Sequence, residues 1–110
     1  MQFHAALMGV NFRGPAVREL VADLPVGEDR FDFERDPANQ YDPNAIKVLL
    51  DGEFLGFVAK EVAEELAPLM DAGYEVSGKI IDFLGTIKPF LQLEATLDDE
   101  EAEDEQGDAA

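Results

Sequence analysis

Apolar residues in this chain fall into short alternating runs, interrupted by two stretches with helical spacing. Arg30-Phe31-Asp32-Phe33-Glu34-Arg35 alternates charge and ring, a period-two strand that turns Phe31 and Phe33 inward. Residues 45–50 and 54–58 flank Asp51-Gly52, and that dipeptide between two apolar runs predicts a hairpin. Residues 2–10 mix Phe3, Ala5, Leu7 and Met8 in another strand-like run, ended by Gly9 and Asn11. Residues 74–84 and 87–97 form a last strand pair around Gly85-Thr86. After Pro15, the spacing of Val17, Leu20, Val21 and Leu24 marks one helical face, closed by Pro25. From residue 60 to 72, Val62, Leu66, Leu69 and Met70 share a face while Glu61, Glu64 and Glu65 turn to water. Pro68 has no N–H and is expected to kink this helix or end its regular part, and Gly73 to stop it. The pattern is that of a mainly β, α+β domain with one main helix: a small, partly open six-stranded barrel.

Residues 35–48 break the pattern. Arg-Asp-Pro-Ala-Asn-Gln-Tyr-Asp-Pro-Asn-Ala-Ile-Lys-Val is too polar and too rich in Pro to be core, yet it runs directly into an apolar strand. Asp36-Pro37-Ala38-Asn39 and Asp42-Pro43-Asn44-Ala45 both read as type I turns, Asp accepting local backbone bonds and Pro presetting φ. Two rigid turns in succession hold Tyr41 and Asp42 at one rim of the sheet. A phenol and a carboxylate fixed side by side can stack on a flat group and accept a hydrogen bond from a hydroxyl. On spacing alone the same loop also reads as a well-made connection whose Tyr caps the core.

The loop resembles the HIRAN signature, in which an acidic-Pro step leads into an Asn-Pro-Tyr-Asp-x-Asn-Ala-Ile run. Asn39-Gln40-Tyr41-Asp42-Pro43-Asn44-Ala45-Ile46 matches it, with Gln40 where the family carries Pro. Met8-Gly9-Val10-Asn11-Phe12, Leu55-Gly56-Phe57-Val58 and the helix after Lys60 also fit, so the resemblance covers about residues 5–97. It implies an OB-like barrel that binds DNA, in its best-understood members a single strand with its free 3′ end in a pocket. In that scheme Tyr41 supports the terminal nucleotide, Asp42 accepts a bond from the 3′-hydroxyl, and Asn39 belongs to the loop. A basic-plus-aromatic pair on the first strand falls on Asn11 and Phe12. Phe12 keeps the ring, and Arg13 next door is the candidate for the missing charge. Lys60 matches a family lysine that meets a phosphate. Left to themselves, Phe12 reads equally as a core aromatic and Lys60 as an ordinary helix start.

Charge complicates this picture. Acids outnumber bases 25 to 8. Eight acids lie in residues 98–110, a segment without periodicity that is expected to be a disordered tail following a domain of residues 1–97. The remaining 17 acids against 8 bases still leave the body at −9. Phosphate binders gain much of their affinity from Lys and Arg, so the few bases here must be concentrated locally. An acidic protein–protein adaptor that keeps the barrel and no longer binds DNA is the competing reading, and it predicts a uniformly negative surface. A salt-rich cytoplasm would account for the charge without any bearing on the partner.

Nothing in the sequence suggests catalysis. His4 and Ser77 are single residues of their type with no partner nearby in sequence, and Asp36, Asn39, Asp42 and Asn44 lack EF-hand spacing. No cofactor, metal or membrane span is expected. The absence of Cys and of a signal-like start favours a soluble, cytoplasmic protein. The expectation is a DNA-binding module, its partners a DNA 3′ end and repair or replication proteins.

Overall fold

The structure, a computed structural model, describes residues 1–85 and 88–97. Its elements are β1 (Gln2–Met8), a 3-10 turn (Val10–Phe12), α1 (Pro15–Ala22), β2 (Phe31–Arg35), β3 (Ile46–Leu50), β4 (Glu53–Val58), α2 (Lys60–Asp71), β5 (Tyr74–Leu84) and β6 (Lys88–Leu97). The strands form one antiparallel sheet in the order β2-β3-β4-β1-β6-β5. The expected acidic tail, and the Thr86 and Ile87 positions of the last turn, lie outside the described residues. Among those described, no helix is long and apolar enough to cross a membrane.

The sheet curls around one core, in which Leu7, Ile46, Leu55, Leu66, Ile80, Leu91 and Leu93 are fully buried. Strands β2 and β5 are its two ends. The residues just before β2 bridge them: Gly27 N–H donates to the Ile80 carbonyl at 2.7 Å, and Ile80 N–H donates to the Glu28 carbonyl at 2.9 Å. Ile80 sits at a register shift in the β5–β6 pairing, where an extra residue bends the strand toward this bridge. Gly78 completes the closure. A Cβ there would come within 2.6 Å of Leu93 Cδ2 and 2.9 Å of Phe33 Cζ, so the missing side chain makes room for the β2 ring. The seam is tied further by Glu28, a buried carboxylate that accepts the Arg30 N–H, Nε and Nη2 at 3.0, 2.8 and 3.1 Å.

The β3–β4 hairpin turns at Asp51 (φ 50°) and Gly52 (φ 85°), the pair of positive φ values of a type I′ turn. Val48 pairs with Gly56 but Leu49 with Phe54, so Leu55 is a bulged extra residue on β4. In a regular strand, residues three apart face opposite sides. The bulge instead brings Phe54 and Phe57 edge to face, with centroids 5.3 Å apart. Gly56 has no side chain because β1 runs close alongside β4 there, and a Cβ would overlap the Met8 carbonyl.

Three details differ from the sequence pattern. The first strand ends at Met8, and Val10–Phe12 turn away as a 3-10 turn entered through Gly9 at φ 84°. In α2 the buried face is Ala63, Leu66 and Ala67, with Val62, Leu69 and Met70 half-buried beside it. Small residues let the helix lie close on the sheet, which a pattern of large apolar residues does not reveal. Pro68 sits exposed on the solvent side, and the helix continues past it to Asp71. The carbonyl whose bond it removes is that of exposed Glu64, which water can satisfy.

Candidate functional site

The β2–β3 loop is ordered by backbone turn bonds and by its own side chains. Both predicted turns close, Asn39 N–H donating to the Asp36 carbonyl at 3.1 Å and Ala45 N–H to the Asp42 carbonyl at 3.0 Å. Asn39 links them. Its Oδ1 accepts the backbone N–H groups of Tyr41 and Asp42 at 2.8 and 3.1 Å, while its Nδ2 donates to Asp36 Oδ2 at 3.1 Å. Asp42 Oδ1 accepts the Asn44 N–H at 2.9 Å, and Oδ2 has no hydrogen-bond partner among the described residues.

Arg35 fastens this loop to the body. Its guanidinium donates to the carbonyls of Ala45 and Pro43 at 2.9 and 3.1 Å. It also forks onto Asp71 at the end of α2, at 3.0 and 3.2 Å. Its side chain is only 16% exposed, which separates it from an ordinary surface ion pair. In the sequence Arg35 is simply the last residue of the alternating strand. Its role as a loop clamp depends on α2 ending beside the loop, which no local signal shows.

Asn39, Tyr41, Asp42 and Lys60 line one cleft of about 670 Å³. Tyr41 is 85% exposed, so it does not cap the core. The floor is apolar, with Ala5, Ala6, Met8, Phe57 and Val58 from β1 and β4 and Phe90 from β6. Ala59 and the first turn of α2 form one wall, and that helix start has no side-chain cap. Lys88 also lines the cleft and was not singled out from the sequence; it reaches the cleft because β6 pairs with β1. His4 also lies on this rim, stacked on Phe90 at 6.2 Å. The cleft thus sets two lysines, Lys60 and Lys88, beside two acids, Asp42 and Glu61.

The remaining three candidates lie outside this cleft. Asn11 and Phe12 line a neighbouring groove of about 200 Å³, which shares Met8 and Lys88 with the main cleft. Phe12 is 83% exposed, a displayed ring rather than a core aromatic. Arg13 stacks on Phe54, its guanidinium carbon 4.4 Å from the ring centre. Among the described residues, no group of three or more His, Cys, Asp or Glu side chains is arranged to hold a metal ion.

Comparison with known proteins places this architecture. The HIRAN domain profile matches residues 2–88. The chain belongs to the HIRAN domain family. The HIRAN domain of human HLTF has the same OB-like fold, with a TM-score of 0.70 at 24% identity over 94% of this chain and 81% of that one. In its DNA-bound conformation the HLTF HIRAN domain matches with a TM-score of 0.56 at 24% identity, covering 96% and 84% of the two chains. A protein from Lactobacillus plantarum matches with a TM-score of 0.74 at 26% identity over 84% and 89%. A Fanconi-associated nuclease 1 homolog from Oryza sativa subsp. japonica is 46% identical over 52 residues, 43% of this HIRAN chain. That match spans 5% of the rice protein's length.

Proposed function

We propose that this HIRAN domain binds single-stranded DNA by a free 3′ end, in a repair or replication context. The observation that carries the reading is the convergence of an exposed Tyr41, an Asp42 carboxylate with one open oxygen, and Lys60 and Lys88 in one apolar-floored cleft. The relatives support it: HLTF has a HIRAN domain with a DNA-bound conformation, and the rice relative is a nuclease homolog named for the Fanconi system.

Each group has a part in such binding. The Tyr41 ring offers a stacking surface for the terminal nucleotide, a contact of about 1–3 kcal/mol in single-strand sites. Asp42 Oδ2 accepts the 3′-hydroxyl proton. A terminal phosphate in that position would set two anions against each other, so the same carboxylate that welcomes a hydroxyl rejects a phosphorylated end. Lys60 and the uncapped first turn of α2 face the preceding phosphate, where N–H groups and helix dipole favour negative charge. Lys88 and Phe12 extend the track into the neighbouring groove. Four of the eight bases (Arg13, Lys47, Lys60 and Lys88) gather at the cleft and on the adjoining Phe54. That clustering favours DNA over the uniformly negative surface of an adaptor.

The test is competition between a linear single strand and a covalently closed circle of the same sequence. End recognition requires the linear strand to displace a labelled probe at least tenfold more effectively. Equal competition would refute it.

A further inference from the structure

Phe54 carries two cations. The Arg13 guanidinium carbon lies 4.4 Å from its ring centre and Lys47 Nζ lies 5.3 Å from it. Each is individually favourable, because the ring face is negative. Together they place two like charges around one small ring, and neither has a carboxylate within salt-bridge distance among the described residues. Among the described residues, Arg30 and Arg35 are the two of the eight bases that pair with acids; Arg13 and Lys47 stand apart from the other unpaired bases because the two of them share one ring.

The geometry points to a second anion site, which we infer takes the phosphodiester backbone of the strand where it leaves the 3′-end cleft. Its position supports this occupant. Phe57 lines the cleft and packs its ring against Phe54, and Lys47 is its cross-strand partner on β3. The Leu55 bulge turns Phe54 and Phe57 to the same side, so the two aromatic rings form a continuous step from cleft to cation pair. Arg13 arrives from the other direction, just after the 3-10 turn that displays Phe12. A strand crossing Phe57 would meet a ring on which a base can stack and two charges that can each take a phosphate. Arg13 therefore serves the upstream strand and not the terminal nucleotide. This inference rests on the single-strand reading above.

The experiment compares a trimer and a decamer with identical 3′-hydroxyl ends, for the wild type, Arg13→Ala/Lys47→Ala and the control pair Arg18→Ala/Lys79→Ala. The control removes the same charge from other parts of the surface. Wild-type affinity is expected to rise about tenfold from trimer to decamer. In Arg13→Ala/Lys47→Ala this gain vanishes and the salt slope for the decamer falls by roughly 1.4, the value for two phosphate contacts on a single strand. The control keeps the length gain. Phe54→Leu, which leaves both charges but removes the ring that collects them, loses part of it. The inference is overturned if wild type shows no length gain, if the double variant retains it, or if the control loses as much. Failure of the end-recognition reading shows separately, as a trimer that binds equally with a 3′-hydroxyl and a 3′-phosphate.

Discussion

Asn39 Oδ1 accepts the Tyr41 backbone N–H at 2.8 Å, and the Tyr41 ring beyond that bond is 85% exposed. A bare aromatic on a loop would ordinarily sample many positions. Here the backbone beneath it is fixed by a side chain that is itself pinned to Asp36, which removes the main-chain part of the entropic cost of binding.

Asn39→Ala removes the acceptor for both the Tyr41 and Asp42 N–H groups. It is expected to weaken single-strand binding about tenfold, or roughly 1.4 kcal/mol. In a Tyr41→Ala background the same change has a much smaller effect on binding, because the ring it positions is gone. A double-mutant cycle by anisotropy measures this coupling.

Arg35 acts through the loop in a similar way, from beneath. Arg35→Ala leaves the Ala45 and Pro43 carbonyls without their side-chain donor and Asp71 without its fork, with an expected loss of about 1–3 kcal/mol in stability. Arg35→Lys recovers only part of it, since an ammonium cannot serve two carbonyls and a carboxylate with planar geometry. Urea denaturation reads the stability. Faster amide exchange at Asn44 and Ala45 reports the loosened loop.

Gly56→Ala tests the close approach of β1 to β4. The added methyl overlaps the Met8 carbonyl, so β1 and β4 must separate, costing about 1–3 kcal/mol by denaturant midpoint. Gly52→Ala meets no neighbour but is held at φ 85°, and its cost is the smaller one of a strained turn.

The barrel seam carries a pH dependence. The Arg30 side-chain hydrogen bonds hold the Glu28 carboxyl below its ordinary value of 4.5, outweighing the opposing effect of burial. A carboxylate with a depressed folded pKa stabilises fully above its unfolded pKa. That stabilisation disappears as pH falls from about 4.5 through the folded value. Glu28→Gln should therefore be less stable than wild type at pH 7 and converge toward it in acid, as followed by thermal melts across pH 3–7.

Much of this fold is readable from local chemistry. Asp51-Gly52 specifies its own turn, Phe31 and Phe33 alternate with charges, and the two Asp-Pro turns close where their residues require. The loop that holds Asn39, Tyr41 and Asp42 is legible for the same reason: its side chains act on neighbours two or three positions away. What the sequence conceals depends on register and closure. Lys88 joins the cleft because Ala6 pairs with Phe90 on β6, and Arg35 becomes a clamp because α2 ends beside it. Phe54 and Phe57 share a side because of the Leu55 bulge. Arg13 follows Phe12 in the sequence, and the placement of its guanidinium on Phe54 after the 3-10 turn has no local signal.

Asp42 gives the most direct test. Anisotropy of short labelled strands ending in a 3′-hydroxyl or a 3′-phosphate should show wild type favouring the hydroxyl end about tenfold or more. Asp42→Ala should bind both ends alike. A wild type that binds the two ends equally, or an Asp42→Ala variant that keeps the hydroxyl preference, would contradict a pocket built on the open oxygen of Asp42.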